Sequence, residues 1–213
     1  ISALNGDSKE YVTIGFDGIK GHGMYYNTNS DEKRRLTRNI NIIERTNNIS
    51  GDIVIFGQVY NNFGLAHLGS KKAAHYFRTL PRRIREYTDR RIIYRMHPNN
   101  YDHELSDYIQ DIDNIFISHG RRMDEDLKNA SCTITRTSMA TGRGLIQGIP
   151  AICEDDINLA YPVCEHKISN INNPHMGNVT QWVNDICYAE WEPTEISEGM
   201  PWIFLKKHIY NNI

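Results

Sequence analysis

The sequence contains no apolar run near the roughly 20 residues that a membrane-spanning helix requires, and only 39% of its 213 residues are hydrophobic. A membrane role is therefore not expected. Its first residues lack a secretory pattern, and because the chain starts at Ile1 rather than Met, a missing or removed N-terminal stretch is expected. Cysteine is sparse. The four residues Cys132, Cys153, Cys164 and Cys187 form no C-x-x-C pair, which excludes the common dithiol and zinc spacings. Cys132 and Cys153 lie in strand-like runs, where a reduced thiol behaves as a small hydrophobe, so a reducing, cytoplasmic compartment is expected. There is no P-loop, G-x-S-x-G, H-E-x-x-H or EF-hand loop, and no internal repeat or low-complexity linker. The Asp111–Asp113 stretch, "DID", has D-x-D form but continues an acidic run with Asp102, Glu104 and Asp107. It reads as a solvated helix end, and neither a metal nor a resident cofactor is expected.

Charge is present in quantity but unevenly spread. The net charge is −2, yet Lys71–Arg95 holds nine Lys/Arg against two acids, while Met96–Ile213 holds eight against seventeen. A basic block in an acidic chain reads either as a polyanion-binding face or as a solvated helix face.

Short apolar runs recur as strand signals at Tyr11–Gly15, Asp52–Gly57, Arg91–Arg95, Asn114–Ser118, Cys132–Thr135 and Ala151–Cys153. Most lack alternation, as in strands buried on both faces. Helical patterns separate them at Lys71–Tyr87 (kinked or restarted at Pro81), His103–Ile109, Met123–Ala130 and Met139–Gln147. The alternation predicts an α/β fold from Asp52 onward, with a Rossmann-like, doubly wound parallel sheet. In the tail, Trp182, Ile186 and Ala189 fall at helical spacing, and two short helices are expected around Gly199-Met200-Pro201, the first beginning near Thr194. The expected organisation is a partial N-terminal region over residues 1–51, a nucleotide-binding domain over 52–178 and a helical segment over 179–213.

Open α/β sheets bind ligands beyond the carboxyl ends of their strands, so the residues following each strand signal are the candidate site. After the first signal comes a glycine loop with Gly15, Gly18, Gly21 and Gly23, whose backbone N–H groups suit an anion or sugar. Gln58 follows the second and His97-Pro98 the third. Arg136, Thr137 and Ser138 follow Thr135, placing hydroxyls at an expected helix start with Arg143 nearby. Glu154 follows Cys153 as a candidate acceptor for sugar or ribose hydroxyls, or as a solvated loop acid.

In order, "YRMHP" (Tyr94–Pro98) and "RTSMATGRGLIQGIPAIC" (Arg136–Cys153) make the chain resemble the donor-binding half of GT-B glycosyltransferases. With "YVTIGFDGIKGHG", "DIVIFGQV" and "AEWEPTEISEGMPW" it is similar to short phage-encoded glycosyltransferases, over about Tyr11 to Trp202. The resemblance implies metal-independent sugar transfer from a nucleotide sugar as co-substrate, with a hydroxymethylated base in phage DNA as acceptor, in the cytoplasm of an infected host. It carries His97 and Ser138 over as phosphate contacts, Gln58 as a donor-site residue, and Gly148 and Pro150 as the turn into the next strand. The chain departs from the pattern at Arg143, where many GT-B enzymes place a ribose-binding Glu; an arginine accepts no hydrogen bond.

Asp17 and His22 are the candidates for general base, with His97, Arg136, Ser138 and Arg143 facing the leaving phosphate. Arg82, Arg83 and Arg85 are the candidates for contact with a DNA backbone. Residues 1–51 are too few for a full second GT-B domain, so missing residues, a reduced acceptor side or a partner subunit in a homo-oligomer would complete the cleft. The alternatives left open are a non-catalytic module on the same fold, a glycerophosphate transferase and a sugar-nucleotide epimerase.

Overall fold

Ile, Val and Phe repeated without polar interruption need cover on both sides, and a parallel sheet between helices supplies it. The computed structural model describes residue 4, residues 10–18 and residues 20–210, with the side chains of 209 and 210 excepted. In chain order the elements begin with strand β1 (Val12–Thr13), helix α1 (Lys33–Thr37) and strand β2 (Asp52–Phe56). Helix α2 (Ser70–Arg85), strand β3 (Ile92–Arg95), helix α3 (Leu105–Ile109), strand β4 (Ile115–Ser118) and helix α4 (Met123–Leu127) follow. Next come strand β5 (Ala130–Thr135), helix α5 (Ala140–Ile146) and strand β6 (Ala151–Cys153). Helix α6 (Val179–Cys187), strand β7 (Glu190–Trp191), helix α7 (Pro193–Ser197) and helix α8 (Met200–Tyr210) form the tail.

The sheet order is β4-β3-β2-β5-β6, with every neighbouring pair parallel. Alternate residues divide between its faces. Ile53, Ile55, Ile92, Tyr94, Cys132 and Ile134 pack with Phe77, Leu80 and Ile84 of α2, whereas Val54, Phe56 and Ile93 pack with Leu127 and Ile149. Full burial of each such side chain contributes about 1.5–3 kcal/mol. All four cysteines are free thiols and buried.

Helix α2 does not restart at Pro81 but runs unbroken from Ser70 to Arg85. A mid-helix proline costs about 3 kcal/mol. Here Phe77, Leu80, Pro81 and Ile84 are all buried on one helical face, and that burial outweighs the lost hydrogen bond.

The run expected as Tyr11–Gly15 shortens to β1 and lies outside the parallel sheet, paired antiparallel with β7. Arg34 of α1 fastens the same corner. Its guanidinium donates to Glu195 at 2.6 and 2.9 Å and to the carbonyl of Cys187 at 2.7 Å, and it stands 4.2 Å from the Trp191 ring centroid. The two ends of the sequence thus build one layer against β6, sharing a core with Tyr25, Leu145, Trp182 and Val183. Helix α6 stops at Cys187, leaving Ala189 outside it, and α7 starts at Pro193 after Glu192, whose N–H donates to the Glu195 carboxylate at 2.9 Å. Among the described residues no helix is long and apolar enough to cross a membrane.

Candidate functional site

The chain builds outward from β2 to β3 and β4, then returns to start β5 on the other side of β2. This reversal opens a crevice at the carboxyl ends of β2 and β5, the place where doubly wound sheets take their ligands. Gln58, immediately beyond β2, spans it and is buried. Its Nε2 donates to Thr137 Oγ1 at 3.0 Å, and its Oε1 accepts from the Thr137 N–H at 2.9 Å and from Thr135 Oγ1 at 3.3 Å. Gln58 therefore braces the crevice floor and has one amide hydrogen left over.

His97 stands on the turn after β3. Asn100 of that turn donates to the Gln58 carbonyl at 2.8 Å, which ties the turn to the brace. The His97 Nδ1 accepts from the Asn99 N–H at 3.1 Å, so the neutral ring carries its proton on Nε2. Burial pushes the His97 pKa below its ordinary value, keeping it a neutral donor near pH 7.

Lys20, which the sequence reading did not single out, arrives from the glycine loop. Its Nζ donates to the Thr137 carbonyl at 2.8 Å. Burial lowers its pKa, and the nearby Asp155 carboxylate partly restores it. A Cβ on Gly64 would collide with Lys20 Nζ and stand 3.0 Å from Thr137 Oγ1, so glycine at 64 makes room for the ammonium. The signal was present as a lysine between glycines; only the docking of that loop gives it a meaning.

Ser138 precedes α5 by two residues, the N-cap being Met139, and its Oγ accepts from the Ala140 N–H at 3.1 Å in a local turn. Arg136 Nε donates to Asp155 Oδ2 at 2.9 Å, and its guanidinium lies 4.5 Å from the Tyr76 ring centroid. Asp155 Oδ2 also meets His67 Nε2 at 2.9 Å. Lys20, Arg136 and His67 thus surround one buried carboxylate.

Several expected residues are used otherwise. Glu154 accepts from Tyr76 Oη at 2.8 Å and from Arg83 at 2.6 and 3.1 Å, so its oxygens are committed within the fold. Arg143, on α5, donates to Asp124 of α4 at 3.0 Å and is thereby engaged away from Ser138. Gly21 N–H donates to the Ile157 carbonyl at 2.9 Å, and a Cβ there would strike the Asp156 carbonyl. Gly15 and Gly18 similarly abut Tyr25 and the His22 carbonyl. These glycines permit the chain to approach itself. Asp17 is exposed with φ 61°, and His22 Nε2 meets Asp156 Oδ1 at 2.9 Å.

The three arginines expected to face DNA diverge. Arg82 pairs with Asp111 at 2.6 Å, Arg83 with Glu154, and Arg85 donates to the carbonyls of Thr88, Arg90 and Asp113 at 2.7, 3.0 and 2.9 Å. Arg82 and Arg85 line a cavity of about 530 Å³ together with Asp89, Asp111 and Asp113, at the amino-terminal edge of the sheet.

These features define a mixed α/β protein: a five-stranded parallel sheet flanked by helices, with Rossmann-like strand order and its polar crevice at the strand reversal. No protein-family model matches the chain, and no curated protein is similar to it in sequence.

Proposed function

We propose that the protein is a metal-independent glycosyltransferase of the GT-B kind that takes a nucleotide sugar into the crevice between β2 and β5. The observation that carries this reading is the Lys20 ammonium, held at the Thr137 carbonyl beside Gly64. With the His97 Nε2 proton and the half-buried Arg136 and Ser138, it forms a cationic, hydrogen-bonding seat suited to a diphosphate. As the glycosidic bond breaks, negative charge grows on the departing phosphate, and preorganised donors stabilise that charge more than they stabilise the bound substrate.

Thermal shift with UDP, CDP, GDP and CMP and their sugar conjugates tests the reading. At a ligand concentration of about 100 Kd the native state gains about 2.7 kcal/mol, which for a chain of this size raises Tm by about 5–10 °C. The shift is expected in the native protein and absent in Lys20→Ala. No shift with any nucleotide overturns the proposal.

A second reading, a nucleotide-binding module without turnover, draws on Glu154 and Arg143, since neither is placed to receive ribose hydroxyls. It predicts the same shift without transfer to any acceptor. The DNA acceptor that the resemblance implies is an arm of the turnover assay. It gains no support from Arg82, Arg83 and Arg85, each of which already has a partner in the chain.

A further inference from the structure

Behind the glycine loop lies a second cavity, of about 710 Å³, within the range of about 300–1,000 Å³ typical of small-molecule sites. Lys20 forms part of its wall and also reaches the crevice, so the two spaces share a partition. The walls combine carbon surfaces with hydrogen-bond acceptors. Tyr161 offers one ring face, the other being stacked against His166 at 3.7 Å.

Opposite it, Asp185 Oδ1 accepts from the Ser30 N–H at 2.8 Å and from Gln181 Nε2 at 3.1 Å, which fixes the carboxylate and leaves its Oδ2 available. At the partition stands the His22–Asp156 pair, 2.9 Å apart. In the tautomer whose Nε2–H donates to Asp156 Oδ1, Nδ1 is the acceptor nitrogen of the ring. The carboxylates of Asp156 and Asp185 disfavour a polyanion, and they favour a neutral ring whose hydroxyls donate.

We infer that this cavity is the acceptor site for a neutral sugar and that His22 is the general base acting on its hydroxyl. The inference rests on the glycosyl-transfer reading for its chemistry. The acceptor oxygen forms a bond to the anomeric carbon, and the bond from that carbon to the phosphate oxygen breaks. The hydroxyl proton passes to His22 Nδ1, and the bonding pair leaves with the nucleoside diphosphate.

Saturation-transfer NMR on the full chain tests the site with glucose, galactose, N-acetylglucosamine and 5-hydroxymethyl-2′-deoxycytidine as probes, each with and without the nucleotide series. A sugar signal is expected that Thr28→Trp abolishes, since Thr28 is exposed on the cavity wall and its enlargement fills the space without disturbing the core. Ser138→Ala should weaken nucleotide binding and leave the sugar signal in place. Binding of the deoxycytidine in preference to all three sugars overturns the acceptor class. No sugar signal, or one indifferent to Thr28→Trp, overturns the site. A sugar signal without any nucleotide shift removes the glycosyl-transfer reading and spares the cavity.

With the preferred sugar, His22→Gln should bind both substrates with unchanged KM while kcat falls about 10²–10⁴-fold. An unchanged kcat removes His22 as the base.

Discussion

Both edges of the sheet carry charged side chains, and they use them in opposite ways. At the amino-terminal edge Arg82 and Arg85 spend their donors on Asp111 and on three backbone carbonyls, so the cavity there is held together by its own charges. At the carboxyl-terminal edge Lys20 has three ammonium hydrogens and donates one to the Thr137 carbonyl, and the His97 Nε2 proton meets no partner among the described residues. Unspent hydrogen-bonding capacity in a concave place marks a binding site, whereas satisfied capacity marks structure. The number of basic residues in a stretch does not distinguish the two.

Substitutions at the two edges should separate accordingly. Lys20→Ala is expected to erase a nucleotide-dependent Tm shift of about 5–10 °C, while Arg82→Ala leaves that shift intact; thermal shift on both variants checks it, and equal losses break the comparison. Gly64→Ala places a methyl group where Lys20 Nζ sits, and because that ammonium ends a flexible side chain it should move aside at a cost below about 1 kcal/mol, so the urea midpoint changes little while nucleotide binding weakens. Arg85→Ala leaves three carbonyls without their charged donor and should cost about 1–2 kcal/mol, with nucleotide affinity unaltered by titration calorimetry.

The smallest effect concerns His97. Its folded pKa lies below the ordinary value of 6.5, so the folded state holds fewer protons than the unfolded state in that window. Stability is therefore full above about pH 6.5 and is lost as pH falls from there through the lower folded value. In His97→Gln, denaturant midpoints measured between pH 7.5 and 5 should show a shallower decline.

Much of the sheet was legible because apolar β-branched runs such as Ile53-Val54-Ile55 admit few other uses, and Ala151–Cys153 appears with the expected bounds. Helix limits were less legible: Ala130 reads as the end of a helix yet opens β5, since a central strand's pairing with β2 overrides local propensity. At the site, Gln58, Thr137 and His97 were found by their positions after strands and do gather around the strand reversal. Glu154 and Arg143 satisfied the same rule of position and were taken up by Arg83 and Asp124 instead. Lys20 was missed because 117 residues separate it from Thr137, and no local pattern encodes where a glycine loop docks.

By itself, then, the sequence determined the alternation of strand and helix and the collection of polar residues at strand ends, because hydrophobic periodicity is a local property of the chain. Which of those polar groups are consumed by the fold and which stay available was decided only by tertiary structure. Hydrogen-bond pairing depends on distances of about 3 Å between residues far apart in sequence, and the order of strands in the sheet sets those distances.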